Sequence, residues 1–344
     1  MKKILSILGL AYSVFCLSQK KEMADAFKIK DYTEALSLAH KVLETDPDDF
    51  KTNLIISSSY NSLGDFKNAL LYSVKLENIA KTDEEKSWTW MQLTVLNYGL
   101  GNKEASKKYY EKAKSVEQTE KSAAELDTLG RLLGLDKFYN DWVIVETENM
   151  IFHFESSVNK ETIDRIVKTR QRAFVKINEF FQVDLPKKVD FFVWGSNDIY
   201  NEFLKRNLGF TVPDYLVSHN RLNQAPGHEI AHNLSFRRGS KGKKTRLINE
   251  GIGVYFDQNE YDKLVAAKEA YKKNPIDIKK VWAENLNVKS ETLYPVSGAF
   301  VQTLIDYDKA KFLELNNNQT YENAKNIYGD KIDSLIAKFI RQLK

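Results

Sequence analysis

Cysteine is almost missing from this 344-residue chain: Cys16 is the only one, and it lies inside an apolar stretch at the amino terminus. A lone thiol cannot close a disulfide within the chain, and a mature protein that has lost the stretch has no thiolate chemistry either. An excess of one charge is missing as well. Lys and Arg number 51 against 47 Asp and Glu, and a formal net charge of +4 spread along the chain is too small to argue for a nucleic-acid partner. The local cluster from Arg237 to Lys244 reads as a solvated loop. The apolar run from Ile4 to Leu17 is too short to span a bilayer as a permanent anchor. With Lys2 and Lys3 before it and Ser18 closing it ahead of Gln19, residues 1–18 read as an export signal, which predicts a periplasmic or extracellular protein without a transmembrane anchor after signal removal. Ser13-Val14-Phe15 fits poorly the small residues that lipid-modification signals place before cysteine, so soluble export is expected rather than lipidation at Cys16.

Histidine is scarce too, with five in all, and two of them fall in Gly227-His228-Glu229-Ile230-Ala231-His232. Residues four apart on an α-helix lie one above the other, so the imidazoles of His228 and His232 can converge on one ion. Glu229, one step round, is poorly placed to share that ion but can reach a water at an open fourth position and take its proton. Eighteen positions beyond His232, Asn249-Glu250-Gly251 opens the helix-compatible stretch to Phe256 and offers Glu250 as third ligand. Two neutral imidazoles and one carboxylate suit a single Zn2+ per chain, whose residual positive charge lowers the pKa of bound water. Asn249 could orient Glu250.

This combination resembles the gluzincin branch of zinc metallopeptidases, with Asn249 to Phe256 similar to the Asn-Glu-Gly-x-Ala-x-Tyr run of its aminopeptidases. The Gly-x-Met-Glu-Asn run that holds a substrate's amino terminus in those enzymes is absent, which counts against aminopeptidase activity and leaves the choice between endo- and exopeptidase open. A nearer resemblance, over roughly residues 140–344, is to short bacterial peptidase MA-like domains that follow helical repeats. Their Tyr-x-x-x-Gly-x-Phe helix is matched by Tyr294 to Phe300, and their Tyr-Gly-Asp before a final amphipathic helix by Tyr328-Gly329-Asp330. The resemblance implies metal-dependent peptide hydrolysis, with Tyr294 as a candidate donor to the tetrahedral oxyanion.

Upstream there is an internal repeat. Asp31-Tyr32-Thr33-Glu34-Ala35 and Asp65-Phe66-Lys67-Asn68-Ala69 are 34 residues apart, and a less regular third unit runs through Trp90, Leu93, Gly101, Ala105, Tyr109 and Ala113. Ala35 and Ala69 let paired helices approach while Tyr32, Tyr60 and Phe66 fill the space between. The pattern resembles tetratricopeptide repeats, which implies a concave face for a peptide or protein partner, or only a structural cap.

Near residue 136 the pattern changes. Trp142 to Glu146 and Met150 to Phe154 read as hairpin strands turning at Glu148-Asn149, Glu161 to Phe181 as a helix, Val189 to Trp194 as a strand and Asn197 to Lys205 as a helix. Tyr215 to Leu222 is expected to be an edge strand, against which an extended substrate would pair, and Pro226 to sit in the first turn of the metal helix. His219, on that strand, reads as a partly exposed structural residue with substrate contact as the alternative, and His40 and His153 as packing residues. The expectation is an α+β chain: an all-α repeat domain over residues 19–135 and a zincin-like α+β domain over 136–344. Its expected function is zinc-dependent hydrolysis of a peptide or protein substrate by His228, His232, Glu250 and Glu229, the alternative being an inactive zincin-like scaffold with repeat-mediated protein binding.

Overall fold

The computed structural model describes residues 18–239 and 242–344. The expected export signal lies outside them except for Ser18, which is helical. The protein is α+β: mostly helical, with one five-stranded sheet. It divides into two compact units between Asn140 and Asp141.

The first unit is all helix: α1 (18–28), α2 (Tyr32–Leu43), α3 (Phe50–Ser62), α4 (Phe66–Ile79), α5 (Asp83–Gly99), α6 (Lys103–Lys114) and α7 (Glu120–Leu133). One turn occurs three times. Lys30, Gly64 and Gly101 take left-handed φ values of 65°, 75° and 83°, and the next residue's amide closes back onto the preceding helix: Asp31 to Ala26, Asp65 to Tyr60, Asn102 to Asn97. Asp31 and Asp65 then cap the following helices through Glu34 and Asn68. Four residues past each cap position comes the small residue of the helix contact: Ala35, Ala69 and Ser106, all fully buried. The third unit is therefore in register through Ser106 and Tyr110, which are buried, rather than through Ala105 and Tyr109 as the sequence suggested. Three extra residues between the second and third turns caused the one-position slip, since Asp65 to Asn102 is 37 positions where Asp31 to Asp65 is 34. His40 packs as expected against the rings of Tyr60 and Tyr72, at 6.4 and 6.2 Å, but does so at the surface, with Tyr60 Oη 3.3 Å from its Nε2.

The second unit holds the sheet: β1 (Val143–Glu146), β2 (Met150–Phe154), β3 (Val189–Trp194), β4 (Phe210–Val212) and β5 (Val217–Arg221), ordered β1-β2-β3-β5-β4. β1 and β2 form the expected hairpin, β2, β3 and β5 run parallel, and β4 returns antiparallel to β5. The strand carrying His219 is thus interior, and β4 is the edge that the sequence had assigned to residues 215–222. The β4 segment is only three residues long, too short to show strand periodicity. Helix α8 (Lys160–Phe181) is the crossover from β2 to β3, as parallel pairing requires, and α9 (Asn197–Leu204) follows β3.

All six β3 residues are buried because both faces are covered. Val189, Phe191 and Val193 join Phe152 and Phe154 in the main core, which also takes Ile230, Ala231 and Leu234. On the other face one ring per strand stacks on the next, His153 on Phe192 at 4.3 Å, Phe192 on His219 at 4.6 Å and His219 on Phe210 at 5.2 Å, following the strand register. His219 is fully buried and accepts a hydrogen bond at Nδ1 from Trp194 Nε1, so it is structural without being partly exposed, and it does not face a cleft.

Eight helices follow in chain order, α10 (His228–Arg238), α11 (Arg246–Tyr255), α12 (Lys263–Lys273), α13 (Ile278–Ala283), α14 (Ser290–Tyr307), α15 (Lys309–Leu315), α16 (Tyr321–Tyr328) and α17 (Lys331–Leu343), of which α10, α11 and α14 matter for the site. Pro226 lies outside α10, whose cap is Gly227. There a Cβ would stand 1.8 Å from the Phe256 carbonyl, so glycine lets the start of α10 abut the end of α11. The Arg237–Lys244 cluster is not simply solvated. Arg237 donates to the Asp214 carbonyl, and Lys244 bridges the carbonyls of Gly239 and Asn316, half-buried, its pKa pulled down to about 8 by burial. Among the described residues, no helix is long and apolar enough to cross a membrane.

Candidate metal centre

Helices α10 and α11 bring three side chains to one point. One ligand atom each of His228, His232 and Glu250 lies within 4.8 Å of the others, the only such group of His, Cys, Asp or Glu found among the described residues. The Nε2 atoms of the two histidines are 3.1 Å apart, and Glu250 Oε2 is 3.5 Å from one and 3.8 Å from the other. Two ligands about 2.0–2.1 Å from a tetrahedral ion stand roughly 3.4 Å apart, so the triangle fits the size of a zinc site.

The ring of His228 lies on the backbone of α11. A Cβ on Gly253 would meet its Cε1 at 2.5 Å, so only glycine admits it. The electrostatics favour the ligand forms of the carboxylate and one imidazole. Burial would raise the pKa of Glu250, but the His228 hydrogen bond, the charges of both histidines and a hydrogen bond from Tyr294 outweigh it and bring the carboxyl to about 2. His232 is lowered by burial and by the charge of His228. At His228 the hydrogen bond to Glu250 and the charges of Glu229, Glu250 and Asp257 overcome burial and raise the pKa. A metal ion there competes with a proton.

Glu229, on α10 with the two histidines, is only 4 % exposed, and its carboxylate is held by the edge of the sheet. Its carboxylate accepts from Thr211 Oγ1 at 2.7 Å and from Gln224 Nε2 at 3.2 Å. Thr211 belongs to β4, so the edge strand holds the carboxylate that the sequence singled out as a base. Gln224 is itself fixed, accepting from the Arg221 amide at Oε1 and from Arg170 at its carbonyl. Neither Thr211 nor Gln224 carries a sequence signal, because their role depends on a turn and a three-residue strand packing over α10.

Tyr294 is also at the site. Its phenol lies beside the Glu250 carboxylate and its ring lies 5.8 Å from that of His228. Burial first, then the Glu250 charge, pushes the phenol up to about 12, so it stays a proton donor. The residues expected from sequence to ligate or act, His228, His232, Glu250, Glu229 and Tyr294, are thus gathered within α10, α11 and α14, whereas His40, His153 and His219 lie elsewhere. No protein-family model matches the chain, and no curated protein matches it.

Proposed function

We propose that residues 141–344 form a zincin-like domain of the gluzincin type, a zinc-dependent hydrolase of peptide bonds, and that the first unit is a tetratricopeptide-like stack offering a face to a protein partner or substrate. The observation that carries this reading is the convergence of His228, His232 and Glu250 beside a buried, immobilised Glu229. Zinc bound by those three would supply Lewis-acid polarisation of a carbonyl and a more acidic water. Glu229, held by Thr211 and Gln224, accepts the proton of the attacking water and hands it to the departing amine nitrogen. A site kept for structural zinc alone has no use for that carboxylate, which favours an enzyme over an inactive scaffold. Export to the periplasm or beyond is part of the proposal.

The test is the cleavage profile of a protein mixture incubated with the purified protein and with Glu229→Gln, alongside the zinc content of both. The expected result is about one zinc per chain in each and cleavage only with wild type, at least a hundredfold above the variant. Equal cleavage by both would remove Glu229 as the base. Zinc in both with cleavage by neither would move the scaffold reading ahead.

A further inference from the structure

The Glu229 carboxylate is gripped at both oxygens: Thr211 of β4 donates to Oε2, and Gln224, in the turn between β5 and α10, donates to Oε1. The Gln224 side chain can present only one end to it. Its Oε1 accepts from the Arg221 amide at 2.8 Å, while its own amide returns to the Arg221 carbonyl, so Nε2 is left to donate to Glu229 at 3.2 Å. Glycine makes the space for this arm. A Cβ on Gly209, just before β4, would stand 1.9 Å from Gln224 Oε1 and 2.1 Å from Nε2, although the backbone of Gly209 is one that alanine can adopt.

Behind the turn stands Arg170, from the middle of α8. It is 3 % exposed, and its acceptors are neutral: the Gln224 carbonyl takes Nη2 at 2.5 Å and Thr169 Oγ1 takes Nη1 at 3.2 Å. Its Nε is buried without a partner, and no carboxylate pairs with it among the described residues. Burial, with the charge of Arg165, pulls its pKa down to about 10. A buried cation without a counter-charge is destabilising, so core stability does not account for this guanidinium. What it does is fix the carbonyl of the residue whose side chain holds Glu229.

We infer that Arg170 is a positioning residue for Glu229, acting through Gln224, so that α8, which supplies no ligand and no proposed catalytic group, takes part in orienting the base. The inference rests on the role proposed for Glu229.

The experiment is steady-state kinetics on a fluorogenic peptide copied from the site cleaved fastest in the protein mixture. It uses the full chain and its Gln224→Ala, Gly209→Ala, Arg170→Met and Arg170→Lys forms, both Arg170 variants also combined with Gln224→Ala, and Glu229→Gln as reference, with zinc content and thermal unfolding of each. Gln224→Ala and Gly209→Ala should lower kcat about 10–100-fold and leave KM and zinc content unchanged. Arg170→Met should lose a comparable factor and Arg170→Lys, which keeps a charged donor and guards against loss of fold, a smaller one. Neither should add to the loss in Gln224→Ala, because residues that act through one contact do not add. Wild-type kcat in Gln224→Ala or Gly209→Ala would overturn the Gln224 arm. Additive losses in the double variants would overturn the action of Arg170 through Gln224 and make its role merely structural. Glu229→Gln as active as wild type, or no cleavage by wild type, would instead overturn the base itself and the inference with it.

Discussion

The two compact units bring helices together by different means. At the repeated contacts of the first unit the residues are alanine or serine, and the serines use their hydroxyls: Ser57 donates to the Ala69 carbonyl and Ser106 to that of Thr94, both inside the helix contacts. Ala35, Ala69 and Ser106 are thus interchangeable answers to one geometric need. Around the candidate metal centre the answer is glycine, at 227, 251, 253 and 298, because carbonyls, branched side chains and an imidazole ring come within reach of where a Cβ would be. The three repeated contacts tolerate a methyl or hydroxymethyl group between their helices, although Gly130 of α7 admits none against Tyr110 of α6, and the contacts that bring the ligand atoms to one point tolerate none at all four positions.

Gly253→Ala should break this contrast most severely. The new methyl would displace the His228 ring, weakening zinc at least tenfold in a chelator competition and costing about 1–3 kcal/mol of stability in denaturant unfolding. A variant with wild-type zinc affinity would show that the ring has room to move. Ser106→Ala at the corresponding repeat contact should cost about 1 kcal/mol, one buried hydrogen bond, and leave zinc unchanged.

Thr211→Val asks whether the second wall of the site matters as the first does. Loss of a hydrogen bond to a charged carboxylate, about 1.5–3 kcal/mol, should lower kcat by roughly tenfold or more, with Thr211→Ser largely restoring it and zinc content unaltered. An unchanged kcat would separate the β4 contact from the chemistry. Lys30→Gly, the smallest effect, sharpens the comparison within the repeats. Lys30 occupies the left-handed turn position that glycine fills at Gly64 and Gly101, so the substitution should raise stability by a few tenths to about 1 kcal/mol. A loss would mean that the lysine side chain contributes more than its backbone strain costs.

Much of this was legible in advance. His228, Glu229, His232 and Glu250 stand in a pattern tied to helical periodicity, and β1, β2, β3 and α8 have runs long enough to show theirs. The first two repeats were readable because the spacing between them is regular. The third slipped by one position because a lengthened connection has no periodicity to betray it.

What escaped reading depended on which segments become neighbours. Residues 215–222 have the composition of an edge strand, yet β4 pairs outside β5 and takes the edge, and with it the grip on Glu229. His219 looked available and is buried in a ring stack that needs four strands to exist. The sequence by itself determined the spacing of His228, Glu229 and His232, since one helix turn is local geometry. Only the tertiary structure decided that Glu250 and Tyr294 arrive beside them, and that Thr211 holds Glu229. Those side chains come from positions 18 to 44 residues apart, and hydrogen bonds and glycine contacts between packed helices leave no period in the chain.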